Sequence, residues 1–236
     1  MLDLRTSPNR ILTRLQRKEL ALLEPHLEHE DLPLRKHLET RNRRVDFVYF
    51  IESGIASVVA NGPNESSIEV GLIGREGMTG ITVILSADRA PHATFMQVAG
   101  SGLSMPAEVL REAMMQSPAL HRMLMRYAHT FFIQTTYTAL TNGRSKVEER
   151  LARWLLMAHD RVDGDDLPLT HEFLSIMLGV RRPGVTIALR TLKQAGLIEP
   201  RRGTIRIMNR EGLKKAANGA YGAPEAEFQK LFGGKS

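Results

Sequence analysis

The stretch LTHEFLSIMLGVRRPGVTIALRTLKQAGLIEPRRGTIRIM, residues 169–208, contains the signals that decide the fold of the C-terminal part of the chain. Thr170 precedes an apolar-patterned segment and can cap its first turn by accepting a backbone N–H. Gly179 stands where the C-terminus of a helix favours a left-handed residue, and Pro183 has the fixed φ that suits the first turn of a second helix. The pattern therefore predicts two short helices joined by a glycine-containing turn.

The residues after the second helix predict a basic β-hairpin. Gly196 ends that helix, and the alternation in LIEPRRGTIRI directs Ile205 and Ile207 toward the core. The tip of the hairpin then carries Arg201 and Arg202. Helix, turn, helix and basic hairpin together predict a winged helix-turn-helix.

The basic residues of the chain are concentrated in the same segment. The 236 residues carry a formal net charge of +6, and residues 170–215 contain ten Lys and Arg against three Asp and Glu. The remainder of the chain is therefore close to neutral. A localised basic patch is typical of a nucleic-acid partner and, less often, of an anionic membrane surface. A solvated basic face without a partner is the alternative interpretation.

The polar side chains of this motif divide into two predicted groups. Arg182 and Thr186, near the start of the second helix, are predicted to read base edges in the major groove, where an arginine can pair with guanine through two hydrogen bonds. The others are predicted to contact phosphates, because neutralising phosphates releases condensed counterions and so gives affinity. This second group comprises Arg181, Arg190, Arg201 and Arg202, with Thr170 and His171 at the start of the first helix.

The composition excludes several classes of protein. The chain has no cysteine, which rules out disulfides, thiolate metal sites and cysteine-ligated iron–sulfur clusters. Charged residues interrupt every window near the start, and no later apolar run approaches ~18 residues, so neither a secretion signal nor a membrane span is expected. We therefore expect a soluble, cytoplasmic protein.

Known catalytic signatures were also sought in the sequence. The stretch HLEHE, residues 26–30, lacks the His-Glu-x-x-His spacing that places two zinc ligands beside a base. Both the full Gly-x-x-x-x-Gly-Lys-Ser/Thr pattern of a phosphate loop and the Gly-x-Ser-x-Gly elbow are absent. The sequence therefore predicts neither an enzyme nor a cofactor.

The first half of the chain is predicted to be a β domain. Residues 12–27 have near-helical leucine spacing and predict one or two short amphipathic helices. From Val45 onward, short apolar runs separated by turn residues predict the strands of a sandwich or small barrel. These runs are VDFVYFI, IASVVA, SSIEVGLI, GITVIL, ATFMQVAG and GLSMP.

Beyond Pro106 the apolar period becomes helical. AEVLREAMMQS predicts a short helix, and residues 118–142 predict a long helix with proline at its start. The apolar arc of the long helix is wide, which favours packing against both the β domain and a second copy of the chain. A core helix of a monomer is the alternative. The predicted dimer contacts are Leu120, Leu124, Tyr127 and Phe131.

This order of parts resembles the cyclic-AMP receptor protein/fumarate–nitrate regulator (CRP/FNR) family of bacterial transcription factors. The resemblance is carried by LTHEFLSIMLGVRRPGVTIALRTLKQAGLI and by VYFIESGIASVVA, and it spans roughly residues 9–208. It implies an α+β protein with an N-terminal β-roll sensor domain, which is a jelly-roll-like double-stranded β-helix. The implied domains are the β-roll at 1–117, a dimerisation helix at 118–142, the winged helix-turn-helix at 143–217 and a flexible tail at 218–236.

The resemblance also implies partners. It implies a homodimer that regulates transcription by binding a two-fold symmetric DNA operator, with half-sites about one helical turn (~34 Å) apart, and RNA polymerase as a further partner. The alternative is a dimeric protein-interaction module with a degenerate sensor domain and no specific DNA target. The sequence leaves open the operator, the target genes and whether transcription rises or falls.

The effector is left unknown because the chain departs from the family pattern. Cyclic-nucleotide-binding members hold the ribose with a Gly-Glu step and the phosphate with an Arg-Ser/Thr step. Here Gly80 is followed by Ile81, and PHATF offers Thr94 without the arginine, so an enclosed phosphate would lack its cation. Cyclic nucleotide is therefore not expected to bind, although Arg89 is close enough for a shifted alignment to supply the cation.

Two further departures concern other inputs and the operator. Haem-binding members use His or similar ligands, but His92, His121 and His129 are each isolated in sequence, and a lone His is more often structural or exposed. In the reading helix, Pro183 and Ile187 stand where members with the common operator have other residues. We therefore expect a different operator, with DNA shape carrying more of the choice.

Overall fold

The computed structural model describes residues 4–62 and 67–233. Contacts between residues divide the chain into two compact units. The first unit contains the described residues up to Ala60 together with Leu72–Phe131, and the second contains Asn61–Gly71 together with the described residues from Phe132 onward. The domain bounds expected from the sequence stay a prediction.

Two short 3₁₀ turns, Leu12–Arg14 and Glu24–His26, flank the first helix. The elements up to the long helix are short strands with brief helices between them: α1 Arg17–Leu23, β1 Glu28–Leu32, β2 His37–Glu39, β3 Phe47–Ile51, β4 Ile55–Asn61, β5 Ser67–Ile73, α2 Ile81–Ile84, β6 Ala93–Val98, β7 Gly100–Pro106 and α3 Ala107–Gln116. The elements that follow are mainly helical: α4 Pro118–Arg144, α5 Val147–His159, β8 Asp166–Leu167, α6 His171–Leu178, α7 Arg182–Gln194, β9 Ile198–Arg201, β10 Thr204–Ile207, α8 Arg210–Ala216 and α9 Ala223–Phe232.

The described strands of the N-terminal half form two sheets, with strand orders β1–β7–β3 and β2–β6–β4–β5. β7 is antiparallel to β1 and β3, and β6 is antiparallel to β2 and β4. Apolar side chains of these strands, including Phe50, Ile55, Met96 and Leu103, are almost completely buried. Burial of this apolar surface is the main force that holds the β-roll together. The predicted α+β class, with its β-roll, long helix and winged helix-turn-helix, is confirmed.

One predicted strand is a helix. The run GITVIL forms α2, in which the N–H groups of Ile84 and Leu85 donate to the carbonyls of Gly80 and Ile81 at 3.1 and 3.0 Å. Gly80 precedes the helix with φ of +82°, a conformation that favours glycine. A short apolar run has no period that separates strand from helix, which is why the strand prediction was wrong here.

Strand β1 and helix α9 are among the elements that were not expected. β1 has the sequence EHEDL and lies at the edge of its sheet, where charged side chains are tolerated, so it lacks the apolar alternation that predicts a strand. The segment 218–236 was expected to be a flexible tail, but Ala223–Phe232 form α9. Pro224 is buried near the start of this helix, and the rings of Phe228 and Phe232 stack with centroids 4.8 Å apart.

The second unit contains a small sheet and a helical layer. The strand order is β8–β10–β9, and β10 is antiparallel to both neighbours. The buried residues of α7 are Val185, Ala188, Leu189 and Leu192, which include the predicted stripe. The long helix α4 ends at Arg144 rather than Asn142 and passes through Gly143, because a glycine within a helix lowers stability without necessarily ending it.

Candidate nucleic-acid interface

The turn between α6 and α7 is built as the sequence predicts. The hydroxyl of Thr170 accepts from the N–H of Phe173 at 3.3 Å and so caps α6. Gly179 ends α6 with φ of +57°, in the left-handed region. Arg181 has an extended backbone and precedes α7, and Pro183 lies in its first turn. The chain therefore reverses between the two helices within a few residues.

Gly179 also lies against strand β5. A Cβ atom at this position would be 2.8 Å from Cδ1 of Ile68, so the absence of a side chain allows the two segments to approach. Nearby, the buried indole Nε1 of Trp154 donates to Oε1 of Glu69 at 2.6 Å. The guanidinium of Arg150 donates to the carbonyl of Leu178, the last residue of α6. Backbone geometry, packing and hydrogen bonds thus hold α6 in place.

Helix α7 has one buried face and one exposed face. Val185, Leu189 and Leu192 lie at i, i+4 and i+7 on the buried side. The middle of the opposite side is occupied by Pro183, Ile187, Arg190 and Gln194, all of which are exposed. Arg182 and Thr186 are exposed on one flank of that side. The sequence analysis did not assign Ile187 to the interface, although the positions of the buried residues already indicate that it faces outward.

The wing is a short antiparallel hairpin with a basic tip. Arg201 pairs with Thr204, so Arg202 and Gly203 make the turn, and Gly203 has φ of +74°. Ile205 and Ile207 of β10 are buried, as the sequence predicts. The hairpin thus exposes Arg201 and Arg202 while its apolar side chains fill the core.

The basic residues of this region separate into paired and unpaired groups. Four are within salt-bridge distance of a carboxylate: Lys193 with Glu199 at 2.8 Å, Arg206 with Asp166 at 3.9 Å, Arg210 with Asp160 at 2.6 Å and Lys214 with Glu211 at 2.7 Å. Within residues 4–62 and 67–233, no carboxylate pairs with the five predicted DNA-contacting arginines, which are Arg181, Arg182, Arg190, Arg201 and Arg202. The unpaired guanidinium groups therefore coincide with the start and outer face of α7 and with the hairpin tip.

All eight predicted DNA-contacting residues are exposed, including Thr170 and His171 at the start of α6. Thr186 differs from the others in one respect, because its hydroxyl donates to the carbonyl of Arg182 at 3.1 Å. Its proton is thus used within the helix, which leaves the oxygen as an acceptor and the methyl group as possible contacts. The assignment of individual residues to bases or phosphates stays a prediction.

The residues predicted as dimer contacts on α4 are mostly covered within their own unit. Leu120, Leu124 and Tyr127 are buried, and the Tyr127 hydroxyl donates to the carbonyl of Met78 at 2.8 Å. A Cβ atom at Gly77 would lie 2.4 Å from the same hydroxyl, so glycine makes room for the ring. Phe131 is half-buried. Leu120, Leu124 and Tyr127 thus help to complete the core of the β-roll unit, and the assignment of the four residues to a dimer contact stays a prediction.

A different set of apolar side chains on α4 is exposed. Met125, Phe132 and Leu140 are 43%, 64% and 56% exposed, and they recur about every two turns along the helix. We call these three residues the exposed stripe. This face of α4 remains uncovered in the single chain.

The position that the resemblance assigns to nucleotide binding is occupied by an internal carboxylate. Glu39 accepts the backbone N–H of Gly80 at 3.0 Å through Oε1, and the hydroxyl of Thr94 donates to its Oε2. The guanidinium of Arg89 donates instead to the carbonyl of Asn42 at 3.1 Å. The two donors at Gly80 and Thr94 are thus satisfied by the protein itself.

Glu39 makes the stability of the β-roll unit dependent on pH. Burial raises the pKa of Glu39, and the hydrogen bonds from Thr94 and Gly80 oppose this shift only in part. Since the folded-state pKa is raised, the contribution of this group to stability is full below its ordinary pKa and is lost as pH rises through the folded value. Glu39→Gln should therefore raise the thermal unfolding midpoint near pH 7 and have little effect near pH 4, as measured by circular dichroism.

The control for this variant is Glu112→Gln, which removes the same charge from an exposed side chain of α3. It should shift the midpoint little at either pH, because an exposed carboxylate is hydrated in both states. A Glu39→Gln variant that is equally stabilised at both pH values, or destabilised near pH 7, would contradict the assignment.

The described residues contain neither a membrane-spanning helix nor a cluster of metal ligands. None of the described helices is both long and apolar enough to cross a membrane. No group of three or more His, Asp or Glu side chains is arranged among the described residues to hold a metal ion.

Comparison with known proteins gives a consistent result. Residues 149–216 match the family model of the Crp-like helix-turn-helix domain. No curated protein sequence matches the chain significantly. Many solved structures match the chain.

FixK2 from Bradyrhizobium japonicum has a TM-score of 0.70 at 17% identity, covering 80% of this chain and 96% of its own. A transcriptional regulator of the CRP family from Thermus thermophilus has a TM-score of 0.68 at 16% identity, and the match covers 82% of this chain and 99% of that regulator. The c-di-GMP-responsive global regulator CLP from Xanthomonas campestris has a TM-score of 0.66 at 17% identity, and the match covers 81% of this chain and 99% of CLP. At these identities the likeness to solved structures establishes the fold alone. The match to the family model is confined to the helix-turn-helix domain. The chain therefore has the fold of these solved CRP/FNR-type regulators, and its residues 149–216 match the Crp-like helix-turn-helix domain.

Proposed function

We propose that the protein is a homodimer that binds two-fold symmetric DNA operators in a sequence-specific way. The observation that carries this proposal is the arrangement of unpaired charge. Arg181, Arg182, Arg190, Arg201 and Arg202 have no carboxylate partner among the described residues, whereas neighbouring cations such as Lys193 and Arg210 do. A protein that used this surface only for solubility would have no need to keep these five groups unpaired on two adjacent elements.

The chemistry of the surface suits duplex DNA. Arginines that neutralise phosphates release condensed counterions, so affinity is gained at low salt and falls steeply as salt rises. We assign phosphate contacts to Arg181, Arg190, Arg201 and Arg202, with the start of α6 adding backbone N–H donors. Arg182 and Thr186 are assigned to base edges at the start of α7, because that end of a recognition helix enters the major groove.

The dimer is proposed to form along α4. The exposed stripe of Met125, Phe132 and Leu140 presents apolar surface on one face of a long helix, and burial of such surface against a second copy would remove it from water. A two-fold axis along paired helices would relate two α7 helices, which is the symmetry of a palindromic operator.

The input and the output of the regulator are part of the same proposal. An unidentified signal received by the β-roll would shift the paired α4 helices and so change the spacing of the two α7 helices. RNA polymerase is the proposed partner at the promoter, in the cytoplasm. Cyclic nucleotide is not proposed as the signal, because Glu39 already satisfies Gly80 and Thr94.

The test is selection of binding sequences by the purified full-length protein from a pool of random duplexes at low ionic strength. We expect enrichment of a palindrome with half-sites about one helical turn apart, and an affinity for it that falls linearly on a log–log plot against salt concentration. If the recovered pool remains random, or if retention does not depend on salt, the proposed function is wrong.

A further inference from the structure

Ile187 is a large apolar side chain in the middle of the outward face of α7. It is 63% exposed, although it lies one residue before Ala188 and two before Leu189 on the buried side. Pro183 and Arg190, at i−4 and i+3, lie beside it on the same face. The helix thus presents an aliphatic side chain at the point farthest from its own core, between a proline and an unpaired arginine.

The groups around Ile187 limit what this part of α7 can read. Isoleucine has no hydrogen-bonding atoms in its side chain, and the hydroxyl proton of Thr186 is donated to the carbonyl of Arg182. The hydrogen-bond donors on and beside this face are therefore the side-chain amide of Gln194, about two turns beyond Ile187, and the guanidinium groups of Arg182 and Arg190. The apolar surface of Ile187 lies between the two arginines.

Apolar surface has one specific partner in the major groove. Base pairs present hydrogen-bond donors and acceptors there, and the 5-methyl group of thymine is the apolar feature that distinguishes an A·T pair. An arginine in contact with DNA binds guanine or a phosphate. An isoleucine contributes binding free energy when it removes the methyl group of a thymine from water.

We propose that Ile187 recognises the 5-methyl group of a thymine in each half-site of the operator. This inference rests on the proposed function, because it needs α7 to lie in the major groove. It adds the identity of one base and the residue that selects it. Arg182 and Arg190, which are exposed on the same side of α7, contact the neighbouring guanine or phosphate groups.

The test uses the duplex that the full-length protein itself selects from a random pool. Each thymine of that duplex is replaced in turn by deoxyuridine, which lacks only the 5-methyl group, and affinity is measured by fluorescence anisotropy. For the unmodified protein, uracil at one position in each half-site should weaken binding about fourfold per half-site, the effect of losing one buried methyl group. Replacement at the other positions should change affinity little.

Ile187→Ala should bind the thymine duplex more weakly by a similar factor and should no longer distinguish thymine from uracil. Met115→Ala is the matched control, because Met115 is a 76% exposed apolar side chain in the other unit of the chain. It should keep the full preference for thymine. Since both side chains are exposed, neither variant should lower the thermal unfolding midpoint.

The possible results separate the thymine contact of Ile187 from the proposed DNA-binding function. A selected duplex that binds equally well with uracil at every position overturns the role of Ile187 and leaves the proposed function intact. The role of Ile187 is also overturned if Ile187→Ala keeps the preference for thymine. It is overturned as well if Ile187→Ala changes the mass of the protein in sedimentation, because Ile187 would then be a contact between copies. If no duplex is selected at all, the proposed function fails and this inference fails with it.

Discussion

Arg182→Glu combined with Arg202→Glu is expected to weaken binding to the selected duplex on the order of 100-fold or more. The two residues lie on the two elements that carry the unpaired charge, the start of α7 and the tip of the hairpin. An arginine contact to a base is worth roughly 1–3 kcal/mol, and reversal of its charge adds repulsion from the phosphates. Each tenfold loss of affinity corresponds to about 1.4 kcal/mol, so the lost base contact of Arg182, the lost phosphate contact of Arg202 and the added repulsion together account for the expected factor.

The fold of this double variant should not change. Both side chains are exposed and have no carboxylate partner among the described residues, so no salt bridge is broken. The log–log dependence of affinity on salt should also become shallower, because fewer counterions are released on binding. Affinity is measured by fluorescence anisotropy over a range of salt concentrations, and the fold is checked by thermal unfolding.

The matched control reverses the same number of charges elsewhere in the chain. Arg17→Glu with Arg43→Glu changes two exposed arginines of the β-roll unit and gives the same net charge. This control should retain most of the affinity, because a change in net charge alone affects only long-range attraction, which salt screens. Equal losses in the two double variants would show that total charge, rather than the surface of α7 and the hairpin, determines binding.

Phe132→Asp is expected to convert the proposed dimer to a monomer at low micromolar concentration. Phe132 is 64% exposed in the single chain and is central in the exposed stripe of α4. A carboxylate there would have to lose its hydration in a paired interface without a cation to compensate, which is costly. The single chain should remain folded, since the side chain contributes little to its core.

The loss of the dimer should weaken binding to a two-half-site duplex on the order of 100-fold, because the second half-site is no longer bound intramolecularly. Affinity for a duplex with one half-site should change little. Met115→Asp is the control, as it places the same charge on another exposed apolar position, on α3. Sedimentation velocity measures the oligomeric state. If Phe132→Asp stays dimeric, the interface lies elsewhere on the chain.

The C-terminal motif could be predicted in detail because its signals are local. Capping by Thr170, the left-handed conformation of Gly179 and the alternation of Ile205 and Ile207 each depend on backbone geometry within a few residues. The same reasoning failed at GITVIL, where a short apolar run forms the helix α2, because a run of six residues is too short for its apolar period to distinguish helix from strand.

Residue type and spacing were thus enough to predict the winged helix-turn-helix, the long helix, a β domain and the concentration of positive charge, while the β-roll was implied by the resemblance to a known family. Only the tertiary structure decided which apolar side chains stay exposed, and so can contact DNA or a second copy of the chain. It covers Leu120, Leu124 and Tyr127 of α4 but exposes Phe132, and it places Ile187 in the middle of the outward face of α7. The reason is that an apolar pattern shows which residues avoid water, whereas the packing of distant segments determines which of them are covered by the chain itself.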